Sequence, residues 1–191
     1  MTEKSEKQRD EEAAAKKELS LVYEGKIISV YKETLHFEDE KVAIRDLVKH
    51  PGAVAIIPVD ENGHILFIKQ WRRAAQKILI EIPAGTLGAG EVPIECANRE
   101  LQEEIGFRAN TMIPLGGFYT APGFCDEYIH LFLAKDLFPS VLWADDSDYI
   151  DLFALSLEEA LILAQEGAFL DSKTLSALSL YQLWLKKPFT R

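Results

Sequence analysis

The chain has 191 residues, of which 48% are apolar and 27% charged, and its formal net charge is −10. That length suits one domain of ordinary size with a small appendage, and no apolar run is long enough for a bilayer-spanning helix. The acidic balance argues against nucleic acid or an anionic membrane as the main partner, although a few local cations or a bound metal could still hold a small anion.

Residues 1–18 mix both signs of charge with an Ala run and predict a charged N-terminal arm, either a frayed helix or disordered, without chemistry of its own. Residues 19–49 turn β-like. Strands are expected over 26–32 and 42–48 around a polar turn at 38–41, forming a small antiparallel β unit. Pro51-Gly52 breaks the chain, and the main domain is placed over 50–191. It begins with a buried strand over 53–59, an Asn-Gly turn at 60–63 and a returning strand over 64–71. A strand over 77–82 ends at Pro83, and Gly85, Gly88 and Gly90 make a flexible loop.

Pro93 suits a helix first turn, and a helix over 94–105 closes at Gly106. Strands are expected over 113–120 and 127–134, an Asp-rich loop over 135–148 and a last strand over 149–155. Helices follow over 157–166 and 171–186, the second with Leu175, Leu178, Leu180, Leu183 and Trp184 as its buried stripe. Cys96 and Cys125 have neither zinc nor disulfide spacing and are read as reduced packing residues of a cytoplasmic protein.

The helix over 94–105 carries the chemistry. Glu100, Glu103 and Glu104 are spaced to share one face. Such carboxylates repel one another unless a cation sits between them, and hard oxygen donors suit Mg2+ or Mn2+ rather than zinc. Glu-x-x-Glu-Glu alone is more often a solvated face. The longer pattern decides. It runs Gly85, five residues, Glu91, seven residues, Arg99-Glu100-Leu101, one residue, Glu103-Glu104, one residue, Gly106-Phe107.

With every signature position filled, this segment resembles the Nudix box, and from about residue 20 onward the sequence resembles a Nudix hydrolase. The resemblance implies an α/β fold: a Nudix α/β/α sandwich with a mixed sheet, preceded by the small N-terminal antiparallel β unit. It makes Glu100 and Glu104 the main metal ligands, Glu103 a further ligand or base, and the Ala84 carbonyl a backbone ligand. The metal would be Mg2+, with Mn2+ as an alternative. Glu91 and Arg99 are read as a structural ion pair, and Gly85 and Gly106 as structural positions of the box.

Four further segments resemble the ADP-ribose pyrophosphatase branch. They are Lys69-Gln-Trp-Arg72, Glu81-Ile-Pro-Ala-Gly85, Ala121-Pro-Gly-Phe124 followed by Asp126-Glu127, and Asp171-Ser-Lys-Thr174. In that branch the N-terminal strands exchange between the subunits of a homodimer, so residues 19–49 are expected to dimerise. The resemblance makes Arg45, Asp46 (in place of the usual Glu), Arg72 and Pro122 substrate-binding residues. Guanidinium forks suit a pyrophosphate. A catalytic carboxylate is expected two positions before Ile150, at Asp148, with Asp145 and Asp146 as rivals and Glu103 as the substitute.

The implied activity is metal-dependent hydrolysis of the pyrophosphate bond of ADP-ribose, or a related nucleoside diphosphate sugar, to AMP and a sugar phosphate. The alternatives are a Nudix hydrolase of GDP-mannose or another sugar nucleotide, and a non-catalytic ADP-ribose sensor, against which the intact box argues. Neither nucleic acid nor membrane is an expected partner.

Overall fold

A computed structural model describes residues 3–144 and 149–186. The chain divides into two compact units, one of residues 1–51 with 121–127 and one of residues 52–120 with 128–191.

The first unit starts with helix α1 (Glu3–Ala14), followed by strands β1 (Lys16–Glu24), β2 (Ser29–His36) and β3 (Val42–Lys49). The three strands form an antiparallel sheet in the order β1-β2-β3. The arm is therefore a helix running into a strand that begins at Lys16, not at residue 19. Local charge supports the helix: Gln8 donates to Glu12 and Lys7 pairs with Glu11, both at four-residue spacing. The segment 121–127 is tied to β3 by backbone hydrogen bonds from Val48 N to the Phe124 carbonyl and from Asp126 N to the Val48 carbonyl. Asp126 also accepts from Lys49 Nζ at 2.8 Å and His50 N at 2.9 Å.

The second unit holds β4 (Ala53–Pro58), β5 (Ile65–Arg72), β6 (Lys77–Glu81), β7 (Ala84–Thr86), α2 (Pro93–Glu104), β8 (Phe107–Tyr119), β9 (Tyr128–Pro139), β10 (Asp151–Leu155), α3 (Leu157–Gln165) and α4 (Ser172–Lys186). One sheet has the order β10-β5-β6, the other β7-β4-β9-β8, in which β4 and β9 run parallel and the remaining pairs antiparallel. Side chains alternate across a strand, and here the alternation sorts two cores. Ala53, Ala55 and Ile57 of β4 pack with Phe67, Leu131 and the α4 residues Ala177, Leu178 and Tyr181. Val54 and Ile56 face the other way, toward Cys96, Ala97, Leu101 and Ile105 of the α2 segment. Helices thus cover both faces of a mixed arrangement of strands, an α/β/α sandwich.

Helix α2 begins with Pro93 in its first turn, where a missing N–H costs nothing. It ends at Gly106, whose φ of +73° is the left-handed conformation that glycine adopts without strain. Helix α3 is started by a capping box between Ser156 and Glu159.

Three sequence expectations change. The glycine loop contains β7, because the outer edge of β4 has backbone groups that need partners and Ala84–Thr86 supplies them. The Asp-rich loop starts later than residue 135, since β9 continues to Pro139 against an early-starting β8, whose glycine bulge at Gly116 carries the pairing past Pro114. Of the expected α4 stripe, Leu178 is buried and Leu180 and Trp184 pack partly buried against the core, while Leu175 and Leu183 are exposed; Thr174, Ala177 and Tyr181 complete the buried face. Among the described residues no helix is long and apolar enough to cross a membrane.

Leu101 has no exposed surface and anchors α2 to the sheet. Leu101→Ala should lower unfolding stability by about 3 kcal/mol, measured by urea denaturation at neutral pH; a loss below about 1 kcal/mol would show that α2 is not held by this packing.

Candidate active site

Cys96, Ala97, Leu101 and Ile105 fix α2 in the core, and Glu100 and Glu104, four and eight residues after Cys96, continue the edge of that buried side against β7. Glu104 accepts a hydrogen bond from the Ala84 backbone N–H at 2.9 Å. Glu100 lies against Gly85: a Cβ on that glycine would stand 1.9 Å from the Glu100 carboxyl carbon. The glycine is therefore required by a close approach, not by a turn.

Arg99 organises this cluster. Its Nε and Nη2 donate to the two oxygens of Glu91 at 2.8 and 3.0 Å, and its Nη1 donates to Glu100 at 2.6 Å and Glu103 at 2.9 Å. Arg99 and Glu91 thus join the glycine loop to the helix, with Gly88 N adding a bond to Glu91. These bonds from Arg99 and Gly88 hold the Glu91 carboxyl down at about 2. Burial pushes Glu104 up to about 8; the Ala84 amide opposes this, and the neighbouring Glu100 charge adds to it. Glu100 is also shifted upward by burial, with Arg99 opposing. Burial pushes the Cys96 thiol up to about 12, which leaves it a packing residue rather than a nucleophile.

Two of the three helix carboxylates thus resist carrying charge where they sit. Among the described residues no three Asp, Glu, His or Cys groups converge as a preformed cage; Arg99 spans Glu100 and Glu103, and Ala84 N holds Glu104. The donor chemistry still fits a hard divalent cation. A cation beside Glu100 and Glu104 would offset the charge that burial disfavours, and oxygen-only donors select the Mg2+ class.

A second cluster adjoins the first. Glu81, at the end of β6, is a fully buried carboxylate. Arg72 grips it with a bidentate fork, Nε to Oε1 and Nη2 to Oε2, both at 2.8 Å. Lys173, in the first turn of α4, also donates to Glu81 Oε2 and lies 3.0 Å from Asp171. Burial works against the Glu81 charge, but the two cations outweigh it and its pKa is lowered. Arg72 and Lys173 lie near enough to Glu104 to oppose its upward shift. Asp171 caps α4 through Thr174 N and Oγ1, and Thr174 Oγ1 accepts from Ile82 N, so the start of α4 is fastened to the chain just before β7.

The structure therefore brings together, in the second unit, Ala84, Gly85, Glu91, Arg99, Glu100, Glu103, Glu104 and Arg72. Arg45, Asp46 and Pro122 belong to the first unit. Arg45 donates to Glu12 of α1 at 2.6 Å, and as adjacent strand residues Arg45 and Asp46 point to opposite faces of the sheet. Asp145, Asp146 and Asp148 lie outside the described residues. Glu81 and Lys173 have no role assigned from the sequence; the one local signal is that Glu81 is a single charge in the stretch 78–84.

A NUDIX domain model matches residues 49–178. The ADP-ribose pyrophosphatase of Bacillus subtilis is 40% identical over 166 residues, covering 85% of this chain and 89% of that protein. The methanol dehydrogenase activator of Bacillus methanolicus is 37% identical over 164 residues, covering 85% and 89%. A crystal structure of an ADP compounds hydrolase superposes with a TM-score of 0.80 at 25% identity, covering 90% of this chain and 94% of that one. The chain belongs to the Nudix hydrolase family and is a pyrophosphohydrolase of that family. Hydrolases of this family generally need a divalent metal.

Two outcomes test the site's construction. Gly85→Ala should force the Glu100 carboxylate out of its place and reduce turnover by about 10-fold or more; wild-type turnover would mean that Glu100 does not need this position. The Glu91 pair should appear in acid stability. A carboxyl depressed from 4.5 to about 2 on folding contributes stability that is present above 4.5 and is lost as pH falls toward 2. Glu91→Gln should therefore cost about 1–2 kcal/mol at pH 7, after discounting for partial exposure, and almost nothing near pH 2. Urea denaturation of both proteins across this pH range reads the difference, and equal stability at pH 7 would contradict it.

Proposed function

We propose that the protein hydrolyses the pyrophosphate bond of ADP-ribose, or a closely related nucleoside diphosphate sugar, to AMP and a sugar phosphate. The observation that carries this reading is the complete box, with its carboxylates beside an arginine already held in a fixed fork. The similarity to an ADP-ribose pyrophosphatase along most of both chains supports the choice of substrate.

In this reading Glu100, Glu104 and the Ala84 carbonyl hold Mg2+, with Mn2+ as a substitute and Glu103 as a further ligand or the base. The metal, when bound, neutralises phosphate charge and acidifies water. Arg72 uses Nε and Nη2 on Glu81, which leaves its Nη1 side to meet a phosphate oxygen. Asp148, or Glu103 in its place, orients the attacking water and takes its proton. Catalysis of this kind is chiefly positioning and charge stabilisation.

Arg45, Asp46 and Pro122, all of the first unit, are further substrate-binding residues of this reading, which takes the protein to be a homodimer. The exposed Leu19, Leu21, Tyr23 and Ile44 of that unit are the apolar surface a second copy would cover. Arg45 would have to release Glu12 before it could receive a phosphate.

AMP release should be measured with ADP-ribose, GDP-mannose and other sugar nucleotides in the presence of Mg2+. ADP-ribose is expected to be the preferred substrate. Glu104→Gln should lower kcat by about 1,000-fold while the protein stays folded. Preference for GDP-mannose would overturn the substrate assignment, and near-wild-type turnover of Glu104→Gln would overturn the metal assignment.

A further inference from the structure

We infer that Lys173 is a positioning residue for the reaction: acting through the buried Glu81, it sets the geometry of the Arg72 guanidinium. The inference rests on the reading above that Arg72 receives substrate phosphate.

A carboxylate with about 1% of its side chain exposed keeps its charge only if cations stand beside it. Glu81 has two. Lys173 is itself 3.0 Å from Asp171, so the four groups together carry no net charge; what the second cation adds is a fixed place for the Glu81 carboxylate and, through it, for the Arg72 fork. The geometry agrees. Lys173 meets Oε2, the oxygen that also takes Arg72 Nη2, whereas Oε1 takes Arg72 Nε. Lys173 therefore competes at one tine of the fork and leaves the other undisturbed.

Lys173 itself is well fixed. Only 12% of its side chain is exposed, and it lies between Glu81 and Asp171. Asp171 is in turn locked by Thr174, whose hydroxyl accepts from Ile82 N. Arg72, by contrast, keeps 38% of its side chain exposed. The inner cation is shielded and the outer one remains accessible, as expected when the inner one supports and the outer one binds.

The test is a double-mutant cycle with a readout that does not depend on substrate. Arg72→Lys breaks the fork and should lower kcat/KM for ADP-ribose by about 100-fold in the wild-type background but by less than about 10-fold in Lys173→Met. Lys173→Met should raise KM by about 10-fold with a smaller change in kcat, and Lys173→Arg should restore KM to within about 3-fold of wild type. Equal Arg72→Lys effects in both backgrounds, or no rescue by Lys173→Arg, would overturn the inference.

The second readout is the Arg72 Nε–Hε signal in protein labelled with [15N]arginine, assigned by its loss in Arg72→Lys. It should move in Lys173→Met and stay in place in Lys173→Arg; an unmoved signal in folded Lys173→Met would overturn the inference whatever the substrate proves to be. If the wild type fails to hydrolyse ADP-ribose while the signal moves as expected, the substrate reading falls and the positioning role stands. Should Lys173→Met not fold, Lys173→Gln takes its place in the same cycle.

Discussion

Negative charge held out of water is the constraint on which the second unit depends. Its strands and box helix place Glu81, Glu100 and Glu104 where burial opposes ionisation. Each is answered differently. Glu81 has two cations and stays charged. Glu100 has one arm of Arg99, which also serves Glu91 and Glu103. Glu104 has a backbone amide and only distant cations, and its proton affinity rises accordingly. The order of compensation, complete at Glu81 and least at Glu104, divides a structural carboxylate from one that a metal would satisfy.

The same constraint explains how distant pieces of sequence are joined. Arg72 ends β5, Glu81 ends β6, Ala84 begins β7, the box lies on α2 and Lys173 opens α4. Each is at or near the end of its element, where the backbone is still held by the sheet or helix and the side chain can reach a common site. Gly85 permits the approach of α2 to β7, and Thr174 fastens α4 to the residue preceding Pro83. Packing on the two faces of the strands sets the distances, and ionic partners then use them.

Much of this was legible in the sequence. The fixed spacing from Gly85 to Phe107 points to the helix, its carboxylate face and the loop that meets it, because a helix converts spacing into direction. The Glu91–Arg99 pair follows from the same pattern. Partners that come from separate elements were not legible. Nothing local shows that Lys173 reaches Glu81 across 92 positions, or that Arg45 meets Glu12 of the arm. Strand β7 was hidden because Ala84, Gly85 and Thr86 have little strand preference of their own and pair only because β4 offers an edge. The α4 stripe is legible in part: Leu178, Leu180 and Trp184 meet the core, whereas the small Thr174 and Ala177 carry little signal of their own.

The partly compensated carboxylates of α2 are proposed to hold a hard divalent cation, and titrating the folded protein with Mn2+ while following the loss of the free-ion electron paramagnetic resonance signal tests this most directly. Saturable Mn2+ uptake is expected, competed away by Mg2+ and weakened by about 10-fold or more in Glu104→Gln. Uptake by Glu104→Gln equal to that of the wild type, or no saturable uptake by the wild type, would contradict it.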